Sequence, residues 1–192
     1  MPTATQMDAG SDAIPDEALM LALQQGEEQA FESLLQRHLD SIHRYLLRQL
    51  GNAADADELS QETFTRLWTQ ASRFNPAKAR LSTWLHRIAH NLMVDRLRGQ
   101  RTVSVADVDD HATTEILDSE RHDSISDAQL EWLNLALAEL PAQQKAALAL
   151  VYLQGFSNKE AALIMDIGLR ALESLLARGR RTLHSKAGES AQ

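Results

Sequence analysis

Arg87, Asn91 and Arg98 recur at intervals of four and seven residues, a spacing that puts all three on one side of a helix. Thr83, His90 and Val94 fall on the same side, with Arg101 just beyond. Guanidinium groups offer a planar fork of donors to phosphate, and an amide can both donate to and accept from a base edge. Lys78 and Arg80 lie immediately upstream, in a segment flanked by Phe74 and Trp84. The chemistry such a set could do is to hold a nucleic-acid strand and give an unstacked base an apolar wall with polar edges. A second set stands near the other end of the chain: Arg170, Ser174, Arg178 and Arg181 share the outward face of a helix. Glu173 sits at its reading edge, where a carboxylate can accept from a cytosine amino group but repels phosphate.

Other chemistry finds little support. His86 and His90 stand four apart, but no third ligand and no H-E-x-x-H context accompanies them, so no metal site is expected. Asp57, Glu58 and Glu62 gather near a helix start, where the dipole favours negative charge. The sequence holds no glycine-rich phosphate loop, no G-x-S-x-G elbow and no cysteine. We expect no catalytic residues, no cofactor and no enzyme activity.

The elements that must position these residues are helices. Aromatic residues make up only 5 % of the chain, Ala and Leu are abundant, and runs of β-branched residues are lacking. From Asp16 to Gly51 apolar residues (Leu19, Leu23, Phe31, Leu34, Leu35, Leu39, Ile42, Leu46, Leu50) repeat at helical spacing, with a break at Gly26 and a stop at Gly51-Asn52. A helix is expected over about 55–72, with Leu59, Phe64, Leu67 and Trp68 buried, and another over about 82–98, burying Trp84, Leu85, Ile88, Ala89 and Leu92. Between them 74–81 is a loop carrying Asn75-Pro76. Residues 102–125 read as a polar, acidic linker. Helical pattern resumes near Asp127 (Leu130, Leu133, Leu137, Leu140) and is cut by Pro141; a helix over about 142–153 ends at Gly155. Ser157-Asn158-Lys159-Glu160 is a capping box that opens a short helix. A turn at Asp166-Ile167-Gly168 leads into a helix over about 169–185, whose inward stripe is Leu169, Leu172, Leu176, Gly179 and Leu183. A short helix, a tight turn and a basic helix make helix-turn-helix grammar. The fold class is therefore all-α: two small helical domains joined by a flexible linker. The divisions are a disordered leader 1–15, a first domain 16–101, the linker 102–125, a second domain 126–186 and a disordered tail 187–192.

Charge supports two basic surfaces on an acidic protein. Residues 1–62 hold 12 acidic and 3 basic side chains, residues 63–102 hold 1 and 8, residues 103–140 hold 10 and 1, and residues 141–192 hold 4 and 7. The blocks are −9, +7, −9 and +3, which give the net −8. Two basic blocks around an acidic spacer fit a nucleic-acid binder better than the overall pI near 5.3 would. The absence of cysteine fits a reducing compartment. No apolar run approaches the roughly 20 residues of a membrane span, and the first residues lack the pattern of a signal peptide. A cytoplasmic protein is expected.

Residues 55–98 closely resemble region two of bacterial sigma factors of the extracytoplasmic-function (ECF) group. The likeness rests on Asp57–Trp68, on Arg73-Phe74-Asn75-Pro76, and on the run from Thr83 to Leu92 followed by Asp95-Arg96-Leu97-Arg98. Residues 139–183 resemble region four through Glu139-Leu140-Pro141, Tyr152 to Ser157, and Leu176-Ala177-Arg178-Gly179-Arg180-Arg181. The resemblance implies an alternative sigma factor that binds core RNA polymerase and directs initiation by reading promoter −10 and −35 elements and aiding −10 melting. It implies docking of Asp57, Glu58, Gln61, Glu62 and Phe64 on the β′ clamp helices, and contact of region four with the β flap. The −10 strand is assigned Phe74, Lys78, Arg80, Trp84, Arg87, Asn91 and Arg98, with 74–81 forming the base pocket. The −35 duplex is assigned Arg170, Glu173, Ser174, Arg178 and Arg181. An anti-sigma factor, membrane-tethered in many relatives, is a further implied partner and would hold the protein at the inner membrane.

The sequence departs from the common pattern in three places. Asp166 and Gly168 stand where Gly and Ser are usual, and Ala171-Leu172-Glu173-Ser174-Leu175 replaces a more basic run. His86 and His90 stand at positions more often aromatic and basic, which gives the expectation of a pH-sensitive DNA contact. The altered recognition helix keeps open a sigma-like decoy that sequesters an anti-sigma factor. A dimeric helix-turn-helix regulator would leave 55–98 unexplained.

Overall fold

The computed structural model describes residues 14–103 and 135–190, and every regular element among them is helical. Helix α1 (Asp16–Gln24) is short because Gly26 turns the chain at φ 89°, a conformation glycine adopts without strain. Helix α2 (Glu28–Leu50) buries Leu34, Ile42, Tyr45 and Leu46 completely. It ends where Gly51 enters the left-handed region (φ 69°) and donates to the Leu47 carbonyl at 2.8 Å. Asn52 then caps α3 (Ala53–Gln70) by accepting from the Asp55 amide at 3.1 Å. One glycine and one asparagine thus reverse the chain, and α3 lies back along α2.

A 3₁₀ turn (Ala71–Arg73) leads to the loop before α4 (Leu81–Val103). Phe74 is buried and packs on the ring of Trp84 with centroids 5.7 Å apart. Asn75 accepts from the Ala77 amide at 2.9 Å, which tightens the loop behind Pro76. Helix α4 crosses α2 and α3, inserting Leu85, Ala89, Leu92 and Met93. Arg96 ties it to the start of α3 through Asp55 and Glu58.

The second half begins with a helical turn at residues 135–138. Helix α5 (Ala142–Leu148) follows Pro141 and widens into a π turn (Ala149–Leu153). The capping box opens α6 (Asn158–Ile164): Glu160 donates its amide to Ser157 Oγ at 3.3 Å, and its Oε2 accepts from the Ser157 amide at 3.0 Å. The turn of Asp166, Ile167 and Gly168 leads into α7 (Leu169–Ser190). Its positive φ falls on Asp166 (54°). Helix α7 packs on α5 so closely that a Cβ at Gly179 would stand 2.8 Å from Leu148 Cδ1.

Several expectations need correction. Trp68 is 42 % exposed rather than buried: Leu67 takes the inward position on α3, and Trp68, about 100° further round, meets Phe31 edge-on at 5.2 Å. Leu39 and Leu169 are each 39 % exposed. Helix α4 runs through Val103, past the expected linker start. Helix α7 runs through Ser190, so part of the expected tail is helical, because no proline stops it. Residues 1–13 of the leader, 104–125 of the linker, and Leu130 and Leu133 lie outside the described residues.

The two halves share one buried core. Helix α6 lies on α4, and α5 touches α2. Ser41 Oγ donates to Gln154 Oε1 at 2.7 Å, Lys145 Nζ to the Gln49 carbonyl at 3.4 Å, and the His86 ring meets Phe156 edge-on at 4.7 Å.

Candidate nucleic-acid interface

The outward edge of α4 is narrower than its polar residues suggest. Asn91 and Arg98 are exposed, and Arg87 is half-buried. Thr83 and His90, expected beside them, are buried. The wheel cannot see what covers that side: α2 brings Tyr45 to His90, its hydroxyl 2.7 Å from Nδ1, and α6 brings Glu160 to Thr83, whose Oγ1 donates at 3.4 Å. His86 is buried as well, with Nδ1 2.9 Å from the Ser82 carbonyl. Burial lowers both imidazoles to about 4; at His86 the Ser82 carbonyl and Gln154 oppose that fall, and His38 adds to it. Both rings are therefore neutral at physiological pH. The expectation of a pH-sensitive DNA contact through them is overturned, because neither reaches the surface.

The loop before α4 presents Lys78 and Arg80 to solvent, while Phe74 lies in the core and Trp84 is half-buried against it. Phe74 thus shapes the loop from beneath. Two of the cations here have partners from far along the chain. Arg80 Nε donates to Glu160 Oε1 at 2.9 Å, and Arg87 Nη2 stands 3.4 Å from Asp166 Oδ1. Sequence reading missed Glu160 and Asp166, because no local pattern links residues 79 and 80 positions apart.

On α7, Arg170, Glu173, Ser174, Arg178 and Arg181 are all exposed. Arg178 folds back one turn, donating to the Ser174 carbonyl at 3.3 Å and its Oγ at 3.1 Å. Arg180, which sequence reading left out, donates to the Tyr152 hydroxyl at 3.2 Å. A basic helix face of this kind, following a short helix and a tight turn, has the arrangement of a helix-turn-helix.

The acidic start of α3 forms a third surface. Asp57, Glu58 and Gln61 are exposed, Glu62 is half-buried, and Phe64 lies in the core at 3 % exposure. Each carboxylate has an intrachain partner. His43 Nε2 is 2.9 Å from Asp57, Arg66 Nε is 2.8 Å from Glu62, and Arg96 pairs with Glu58. The Arg96 guanidinium holds the Glu58 carboxyl below its usual range. Arg96 is the unforeseen organiser of this surface. Among the described residues no group of three His, Cys, Asp or Glu side chains is placed to hold a metal ion.

Comparison with known proteins matches both halves in order. The family model Sigma-70 region 2 matches residues 34–103, and Sigma-70, region 4 matches residues 130–183. The ECF RNA polymerase sigma factor BldN of Streptomyces coelicolor is 34 % identical over 182 residues, which cover 91 % of this chain and 67 % of that protein. The chain belongs to the ECF sigma factors. SigE of Mycolicibacterium smegmatis is 33 % identical, with 95 % of this chain and 66 % of that one covered. The chain spans about two thirds of the length of these two relatives. SigW of Bacillus subtilis is 25 % identical over 85 % of this sigma factor and 92 % of its own length. Among solved structures, the sigma factor RpoE of Bartonella quintana, in complex with the anti-sigma factor NepR, shares the fold with a TM-score of 0.69 at 24 % identity, covering 81 % and 94 % of the two chains. CnrH, in complex with the cytosolic domain of CnrY, does so with a TM-score of 0.67 at 23 % identity, covering 91 % and 97 %.

Proposed function

We propose that this sigma factor binds core RNA polymerase and carries it to a set of promoters, reading the −35 element as duplex and the −10 element as a melted strand. The observation that carries this reading is the presence of two basic edges on separate helices, α4 and α7, beside an acidic face on α3. Asp57, Glu58, Gln61 and Glu62 dock on the β′ clamp helices, with Phe64 supporting that face from inside; region four also meets the β flap. Lys78, Arg80, Arg87, Asn91 and Arg98 hold the −10 strand against the loop shaped by Phe74 and Trp84. Arg170, Glu173, Ser174, Arg178 and Arg181 address the −35 duplex. The polymerase supplies the catalysis, and the sigma factor performs none. It works in the cytoplasm, where polymerase is, and no described helix is long and apolar enough to cross a membrane. An anti-sigma factor is a further proposed partner, since RpoE of Bartonella quintana is solved with one. If that partner is membrane-tethered, the complex sits at the inner membrane.

Run-off transcription with purified core polymerase on a pool of genomic fragments tests this reading. New discrete start sites that depend on the added chain are the expected result, and they reveal both promoter elements. Failure to compete for core would overturn it and favour the decoy, in which Glu173 and the lost basic positions of α7 leave a chain that binds only an anti-sigma factor.

A further inference from the structure

The two arginines at the upstream end of the −10 edge, Arg80 and Arg87, are met by carboxylates from the opposite half of the chain. Glu160 divides its two oxygens. Oε2 serves the cap of α6, accepting from Ser157 Oγ at 2.7 Å, while Oε1 takes Arg80 Nε at 2.9 Å and Thr83 Oγ1 at 3.4 Å. Burial alone would raise its carboxyl, but Ser157 and Arg80 together hold it below the usual range, so it is ionised. Asp166 stands 3.4 Å from Arg87 at a φ of 54°, where glycine would be unstrained and an L-residue is not. The turn therefore places a carboxylate where local geometry favours glycine. Around these pairs the shared buried core is bordered by polar contacts. Gln154 reaches Ser41 and Lys145 reaches a backbone carbonyl, with the His86–Phe156 contact as its aromatic centre.

We propose that Glu160 and Asp166 form a clasp that stands in for promoter phosphates, occupying Arg80 and Arg87 and holding the −10 edge closed against region four in the free protein. This rests on the assignment of α4 to the promoter strand. Asn91 and Arg98 lie further along α4 and are exposed, so the clasp covers the upstream end of the edge. Separation of the two halves exchanges each carboxylate for a phosphate, charge for charge. A promoter-bound polymerase, which spaces the −10 and −35 surfaces along DNA, draws the clasp apart without an uncompensated arginine at any stage.

The test uses the full chain carrying Glu160→Gln and Asp166→Gly together. Glutamine keeps the capping box and glycine relieves the turn, so the fold is retained; a circular dichroism melt checks this. The sequence has no cysteine, so Thr69→Cys and Ser185→Cys, both exposed sites, accept a fluorophore pair that reports the distance between the halves. A labelled mixed-sequence single-stranded 12-mer at low salt reports the −10 edge by anisotropy. The expected result is a longer, broader distance distribution together with DNA binding three- to tenfold tighter, on the order that two partly exposed ion pairs support. An unchanged distance distribution overturns the clasp. A widened distribution with unchanged DNA binding also overturns the phosphate stand-in, and it removes α4 from the promoter strand independently of any transcription result.

Discussion

His86 and His90 stand one turn apart on α4 and both are buried, with ordinary values near 6.5 lowered to about 4. The unfolded chain therefore binds protons that the folded chain refuses. Their contribution is complete above about pH 6.5 and is lost as pH falls towards 4, by at most about 3 kcal/mol for each ring. Tyr45 faces both rings, and His38, Gln154 and Phe156 face His86 as well. His90→Gln keeps a partner for the Tyr45 hydroxyl but cannot titrate. Its melting temperature should therefore fall less between pH 7 and pH 5 than that of the natural chain; an equal fall would show that the acid loss arises elsewhere. Asn91 offers the opposite case, an exposed amide on the same helix. Asn91→Ala should slow open-complex formation, read by permanganate reactivity of unpaired thymines, and leave competition for core unchanged. Normal opening would remove Asn91 from the strand. The contrast marks what the spacing of residues could reveal. Arg87, Asn91 and Arg98 share a side as expected, yet Thr83 and His90 share it too and are buried, because neighbouring helices decide exposure and a helical wheel contains only one.

Helix boundaries were readable where a local conformation demands a particular residue. Gly26 and Gly51 take positive φ, Asn52 caps α3, and Ser157 with Glu160 caps α6. The π turn over Ala149–Leu153 has no such signature, since any apolar residues can widen a helix by one position. Gly179 is a further feature hidden from sequence pattern: a glycine inside α7 looks like a weak point, but it is where α7 closes on Leu148 of α5. Gly179→Val should destabilise region four by about 2 kcal/mol through overpacking, measured by urea unfolding, and should weaken −35 duplex binding in step. A neutral outcome would mean that Leu148 moves aside freely.

At the scale of the whole molecule the charge blocks gave the two basic edges but not their closure. Glu160 and Asp166 sit inside a block whose balance is positive, and their partners lie 80 and 79 residues earlier. Long-range pairing of this kind leaves no trace in spacing. It does leave one in the salt dependence of DNA binding. When a free arginine meets a phosphate of a single strand, condensed counterions are released, and each such contact adds about −0.7 to the slope of log K against log salt. While Arg80 and Arg87 stay with Glu160 and Asp166 they meet no phosphate and release no condensed ions, so those two positions add nothing to the slope. The Glu160→Gln, Asp166→Gly chain should therefore bind a single-stranded 12-mer with a slope steeper than the natural chain's by about 1.4, for two contacts. Parallel slopes would mean that the two arginines are already available in the natural chain. A difference near half that size would place only one of the two pairs in competition with DNA, and single substitutions would show whether Glu160 or Asp166 is the one.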